Sequence, residues 1–246
     1  MMRVQSNVQP TRAHTPNIVK GWELKMKLAA FGDSITAGQY VAEQETYLYK
    51  LQVRFGCETI NAGVPGNTTA QGLARFERDV LAHQHDVCIV AFGMNDHVHT
   101  APGTAKVPPE AYRDNLITII ERLRSHRVIP VLCTINPIIE GDAGRYYNRR
   151  HPQEWYRNPE GAQAWIDSYN RIVREVAASL EVPLADVAGR WERYLAQGGS
   201  LGDLLRTEEN SGTDDGVHPT PAGLDLFAEC IGEVLEPLHL RLGGDA

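Results

Sequence analysis

From Met26 onward, short runs of unbroken apolarity alternate with stretches in which apolar residues recur every three or four positions. Unbroken runs suit strands covered on both faces, and the longer period suits helices packed on them. Five runs read as strands: Lys27 to Phe31, Glu58 to Ala62, Asp86 to Phe92, Val128 to Ile135 and Pro183 to Val187. Four stripes read as helices: Leu73, Phe76 and Val80; Tyr112, Leu116, Ile119, Ile120 and Leu123; Trp165, Tyr169, Ile172, Val173, Val176 and Leu180; and Leu224, Phe227, Ala228, Ile231 and Leu235. Strand and helix in alternation predict a five-stranded parallel sheet between two helical layers. One long break interrupts the pattern, the insert from Asn136 to Gly161 after the fourth strand. Residues 1–25 lack periodicity and read as an N-terminal extension, with residues 26–246 forming one domain.

Composition narrows the class. Hydrophobic residues make up 42% and charged residues 22% of the chain, ordinary proportions for a globular protein. A formal net charge of -7 leaves no global positive field to gather nucleic acid or anionic lipid. No apolar run approaches the roughly 20 residues of a membrane span, and residues 1–25 contain no apolar core of a secretory signal. Cys57, Cys88, Cys133 and Cys230 lack the spacing of metal or disulfide motifs. These features predict a cytoplasmic protein with reduced thiols.

Candidate chemistry sits at the ends of the predicted strands. The first strand runs into Gly32-Asp33-Ser34-Ile35-Thr36, placing Ser34 where open α/β sheets bind ligands. With Thr36 two residues beyond the serine, this is not the G-x-S-x-G elbow. Near the other end, Asp215-Gly216-Val217-His218 puts a carboxylate and an imidazole on one loop, ahead of Thr220-Pro221, an N-cap and first-turn pair. A serine hydroxyl needs a base to take its proton, and the imidazole needs a carboxylate to fix its tautomer. Asp214 competes with Asp215 for that role and reads as a solvated neighbour. Donors for an oxyanion are available from Gly66, just before the capping-box pattern Thr68-Thr69-Ala70-Gln71, and from the side chain of Asn95 in Gly93-Met94-Asn95-Asp96.

These blocks, in this order, resemble the SGNH (GDSL) hydrolases: Gly32-Asp33-Ser34-Ile35 the first block, Gly66-Asn67-Thr68 the second, Gly93-Met94-Asn95-Asp96 the third, and Asp215-Gly216-Val217-His218-Pro219 the fifth. Ile35 replaces the leucine of the family name without changing a catalytic atom. The resemblance covers about residues 26 to 236. It implies a flavodoxin-like three-layer α/β/α sandwich and an acyl-ester hydrolase that needs no cofactor or metal. It also implies roles: Ser34 as nucleophile, His218 as base, Asp215 as its orienter, and Ser34, Gly66 and Asn95 as oxyanion-hole donors.

Other readings compete. His97 and His99 beside Asp96, with His83 and His85 nearby, could suggest a metal-dependent hydrolase, but no carboxylate or cysteine cluster completes a ligand set. A non-catalytic binding protein on the same fold would not need a full nucleophile, base and donor set. Among serine hydrolases the partner is a small-molecule ester. The insert, with Tyr146, Tyr147, Arg149, Arg150, Trp155 and Tyr156 and no aliphatic run, favours a short acyl group on a polar or carbohydrate-like alcohol, with Tyr147 and Trp155 as substrate-binding residues. The alternatives are a lysophospholipase or acyl thioesterase. The same loop could instead pack on its own aromatics or contact a second copy in a homo-oligomer.

Overall fold

The computed structural model describes residues 26–243. The N-terminal extension expected over residues 1–25 lies outside them. In chain order the elements begin with β1 (Lys27–Gly32), α1 (Ser34–Ala37), α2 (Tyr47–Phe55), β2 (Glu58–Gly63), α3 (Thr69–Phe76) and β3 (Val87–Ala91). A short antiparallel ribbon follows, β4 (His99–Ala101) and β5 (Thr104–Ala105), then α4 (Pro109–Ser125), β6 (Ile129–Cys133), α5 (Tyr146–Arg150) and α6 (Ala162–Ser179). The chain closes with β7 (Leu184–Ala185), α7 (Val187–Ala196), α8 (Leu201–Leu204), α9 (Glu208–Ser211) and α10 (Pro221–Arg241).

All five expected strands pair in one parallel sheet of order β2-β1-β3-β6-β7. Their side chains explain why. Leu28, Ala29, Ala30 and Phe31 on β1, and Val87, Cys88 and Ile89 on β3, are completely buried, as a sheet covered on both faces requires. On one side α10 packs on α2 and α7; on the other α4 lies between α3 and α6. The result is the three-layer α/β/α sandwich. The predicted stripes fall on these helices, with Tyr112, Ile119 and Leu123 of α4 and Phe227, Ile231 and Leu235 of α10 facing the sheet core. All four cysteines are buried and unpaired.

The helices α2 and α7, the shorter α1, α5, α8 and α9, and the β4–β5 ribbon were not foreseen from periodicity. In α2 the apolar stripe is short and broken by Tyr49, Lys50 and Gln52. The predicted strand starting at Pro183 keeps just two paired residues, because Asp186 caps α7 by accepting from the Gly189 N–H.

Because β1, β3 and their neighbours run in parallel, their carboxyl ends open on one edge. There the chain turns within one residue from β1 into α1: Asp33 caps the helix by accepting from the Ile35 N–H at 3.0 Å. Gly32 permits the tight passage, since a Cβ there would lie 2.5 Å from the Ala91 carbonyl oxygen.

Candidate active site

Ser34 is the first residue of α1, almost fully buried. Its Oγ lies 3.0 Å from His218 Nε2, and His218 Nδ1 lies 3.0 Å from both carboxylate oxygens of Asp215. A carboxylate only accepts, so Nδ1 carries the proton and Nε2 turns its lone pair to the serine hydroxyl. Burial alone would raise the Asp215 carboxyl. Hydrogen bonds from the His218 ring and from the backbone N–H groups of His218 and Val217 outweigh it and hold the group below the usual carboxylate range. Thr220 caps α10 by accepting from the Gly223 N–H, and Pro221 starts the helix, so the base loop is anchored directly behind His218.

The other blocks converge on the same edge. Val64-Pro65-Gly66-Asn67 forms a turn closed by Asn67 N–H donating to the Val64 carbonyl at 3.2 Å, with Gly66 at φ +78°. Proline then glycine at its centre is the type II pattern, in which the third position needs a left-handed residue. Thr68 and Gln71 make the reciprocal capping box at the start of α3. Asn95 ties three blocks together: its Nδ2 donates to Asp33 Oδ2 at 3.2 Å and to the Asn67 carbonyl at 3.1 Å. Both amide hydrogens are therefore engaged, and donation to an oxyanion would require one of them to be shared or released. Burial pushes the Asp33 carboxyl up to about 7, partly offset by the Ile35 N–H.

Residues that sequence reasoning passed over hold this edge in place. The Arg75 guanidinium, buried over the Phe31 ring, donates to the Gly32 carbonyl at 2.9 Å, to the Ala62 carbonyl at 2.8 Å and to Asn67 Oδ1 at 2.7 Å. It joins the ends of β1 and β2 to the Gly66 turn. The available signal was a basic residue beside Phe76 on the buried face of a helix. Asp96 accepts from both the N–H and the hydroxyl of Thr69, fastening the Asn95 loop to α3.

The insert departs from expectation. Tyr147 is 2% exposed, its hydroxyl bonded to His97 Nε2 at 2.9 Å and facing Tyr156 Oη at 3.3 Å. It therefore cannot offer its ring to a ligand as expected. Trp155 is half-buried against the core, and its carbonyl accepts from Gly103 N–H at the ribbon. The guanidinium groups expected to face substrate instead grip the base loop: Arg149 pairs with Asp214, and Arg150 donates to the backbone carbonyls of Asp214 and Asp215. Asp214 is also corrected from a solvated residue to a structural one, since it further accepts from the Tyr146 N–H and is mostly buried. Helix α5 thus braces two regions at once, His97 near Asn95 and the loop carrying Asp215. His97 and His99 are packed among Tyr147, Tyr156 and Trp165, and among the described residues no cluster of three metal-ligating side chains occurs.

A serine hydroxyl, an imidazole of fixed tautomer and convergent donors form an arrangement that can carry acyl transfer. Comparison with known proteins agrees. A lipoprotein described as uncharacterized, YqeF of Bacillus subtilis, is 33% identical over 221 residues, 85% of this chain and 90% of its own. The protein named thioesterase 1/protease 1/lysophospholipase L1 of Escherichia coli K12 is 24% identical over 86% of this chain and 84% of its own. The crystal structure of a lipase/acylhydrolase from Enterococcus faecalis superimposes with a TM-score of 0.67 at 24% identity, covering 90% of this chain and 99% of that one. No helix among the described residues is long and apolar enough to cross a membrane. Matched by that family's model over residues 30–226, the chain belongs to the GDSL-like lipase/acylhydrolase family, a family of esterases.

Proposed function

We propose that this protein cleaves carboxylic esters through an acyl-serine intermediate, with Ser34 as nucleophile, His218 as base and Asp215 as its orienter, and that its substrate is a short acyl ester, acetyl above all, of a polar or carbohydrate-like alcohol. The observation that carries the reaction is the unbroken line from Ser34 Oγ through His218 to Asp215, each step 3.0 Å. Nε2 takes the hydroxyl proton as Oγ bonds to the ester carbonyl carbon. The negative charge then gathers on the carbonyl oxygen, where the N–H groups of Ser34 and Gly66 and the amide of Asn95 would meet it. Collapse of the tetrahedral adduct breaks the bond to the alcohol oxygen, which receives the proton from Nε2. Water repeats the sequence on the acyl-serine and releases the acid.

A short acyl group is supported by the insert, which offers no aliphatic run between Arg145 and Arg157 to line a channel for a long chain. The name of the Escherichia coli relative favours a second reading, a thioesterase or lysophospholipase. Buried, unpaired cysteines support a cytoplasmic location, whereas a relative named a lipoprotein speaks for a membrane surface. Cell fractionation separates these locations. The substrate reading is tested with p-nitrophenyl acetate, octanoate and palmitate beside a palmitoyl thioester. Acetate should give the highest kcat/KM by about tenfold or more, and superiority of either palmitoyl substrate would overturn the acetyl preference.

A further inference from the structure

Tyr40 lies six residues past Ser34, just beyond α1, and combines three properties. The residue is 56% exposed. Its φ is +73°, a left-handed conformation that strains a bulky residue. Its ring also meets the His218 imidazole at right angles, centroids 5.0 Å apart. Arg206 holds it there, with its guanidinium 4.8 Å over the ring and Nη1 donating to the Tyr40 carbonyl at 3.3 Å. Arg206 is in turn fixed to the base loop. Its N–H donates to the His218 carbonyl at 2.9 Å, and its carbonyl accepts from the Gly216 N–H at 2.8 Å. Burial does not explain a tyrosine at this position. Nor does the turn, because glycine takes the same φ without strain, as Gly38 does two residues earlier at +74°. Strain kept in place by such neighbours beside a reactive group points to a role in function.

During acyl transfer the proton on Nε2 passes to the departing oxygen, so the alcohol leaves beside the His218 ring. Tyr40 is the exposed aromatic surface there. We propose that the Tyr40 ring forms a wall of the leaving-group subsite and that this subsite takes alcohols presenting a ring, a pyranose or an aryl group. The inference rests on the Ser34, His218 and Asp215 reading and moves the alcohol contact from Tyr147 and Trp155 to Tyr40. A flat aromatic face covers the C–H face of a sugar or stacks on an aryl ring. Arg206, 17% exposed, supports that wall from behind and turns its charge toward Asp215, whose Oδ2 lies 3.8 Å from Nε, instead of offering it to solvent, so the preferred ring is uncharged.

The test keeps the acyl group constant and varies the alcohol: an acetylated methyl glucoside, phenyl acetate and ethyl acetate, assayed with the full chain and with Tyr40→Gly and Tyr40→Phe. Glycine removes the ring and relieves the backbone, so this variant should fold. Tyr40→Gly should lower kcat/KM for the ring acetates about tenfold relative to ethyl acetate, largely through KM, while Tyr40→Phe keeps the ratio near that of the wild type. A fall on one ring ester alone also supports the subsite and names its ring. An equal fall on all three acetates would make Tyr40 a support for His218 and overturn the proposal, as would an unchanged ratio. Labelling by a fluorophosphonate separates the two readings: no adduct on Ser34 in the wild type removes the triad, whereas a normal adduct with an unmoved ratio removes only the subsite.

Discussion

The crevice around His218 and the aromatic box around His97 are assembled from similar parts and arrive at different chemistry. Each histidine is hydrogen-bonded at both ring nitrogens. Around His218 the partners are a carboxylate and a serine hydroxyl, and part of the side chain, 18%, reaches solvent. Around His97 they are the Gly93 carbonyl and the Tyr147 hydroxyl, and the residue is completely buried. A carbonyl fixes the tautomer of His97 as Asp215 fixes that of His218, but it cannot stabilise an imidazolium in the same way. Burial, reinforced by the positive charge of nearby groups, pushes His97 down to about 3. Two hydrogen bonds alone would not make a base; the proposed role of His218 rests on the buried anion behind its ring and the serine hydroxyl in front of it. The box serves the crevice from a distance, because Tyr147 connects His97 to the same helix whose Arg150 holds the Asp215 loop.

The comparison breaks most sharply under one substitution made twice. His218→Gln should lower kcat by roughly 10⁴-fold or more with little change in Tm. His97→Gln should instead lower Tm and leave kcat within about tenfold. Reversal of these two patterns in paired kinetics and thermal melts would refute the division of roles. Asn95, which lies between the regions, should show an intermediate effect. Loss of one oxyanion donor costs about 10²–10³ in rate, so Asn95→Ala should reduce kcat by that factor, and a change confined to KM would remove Asn95 from the donor set.

Smaller effects sharpen the box itself. Tyr147→Phe leaves His97 Nε2 without a donor, a cost of about 1–3 kcal/mol, which for a chain of this length is several degrees in Tm. An unchanged Tm would mean the hydroxyl carries no weight. The smallest signal is a pH slope. His97 has a folded value near 3 and an ordinary value of 6.5, so the unfolded chain binds its proton first as the pH falls. The stability it contributes is complete above about 6.5 and is lost progressively toward about 3, by up to about 1.4 kcal/mol per pH unit. His151, also pushed down by burial, acts in the same direction; Asp33, raised to about 7, and Asp96, raised to about 6, act in the opposite one. The difference between wild type and His97→Gln isolates the contribution of this one histidine: denaturant melts from pH 7 to pH 5 should favour the variant increasingly, and parallel curves would contradict a neutral, buried His97.

Much of the site was legible because its parts lie close in sequence or follow strands with unbroken apolarity. Asp215 and His218 share one short loop before a Thr220-Pro221 helix start, and Pro65-Gly66 announces its own turn. The insert was not legible in this way. Tyrosine, tryptophan and arginine serve equally for stacking on a sugar and for packing on a neighbouring loop, and nothing in the order Tyr146 to Trp155 says which face of α5 meets His97. The same limit hid Tyr40, since no local pattern foretells a left-handed tyrosine held by an arginine more than 160 positions away. It also concealed Asp214, whose partners, Tyr146 and Arg149, come from the insert.

Activation of Ser34 by His218 and Asp215 to form an acyl-enzyme can be read by mass spectrometry of the intact chain after reaction with a fluorophosphonate. Peptide mapping should place a single adduct on Ser34, and its rate of formation should fall at least a thousandfold in His218→Gln. An adduct on another serine, or undiminished labelling without the imidazole, would contradict the account.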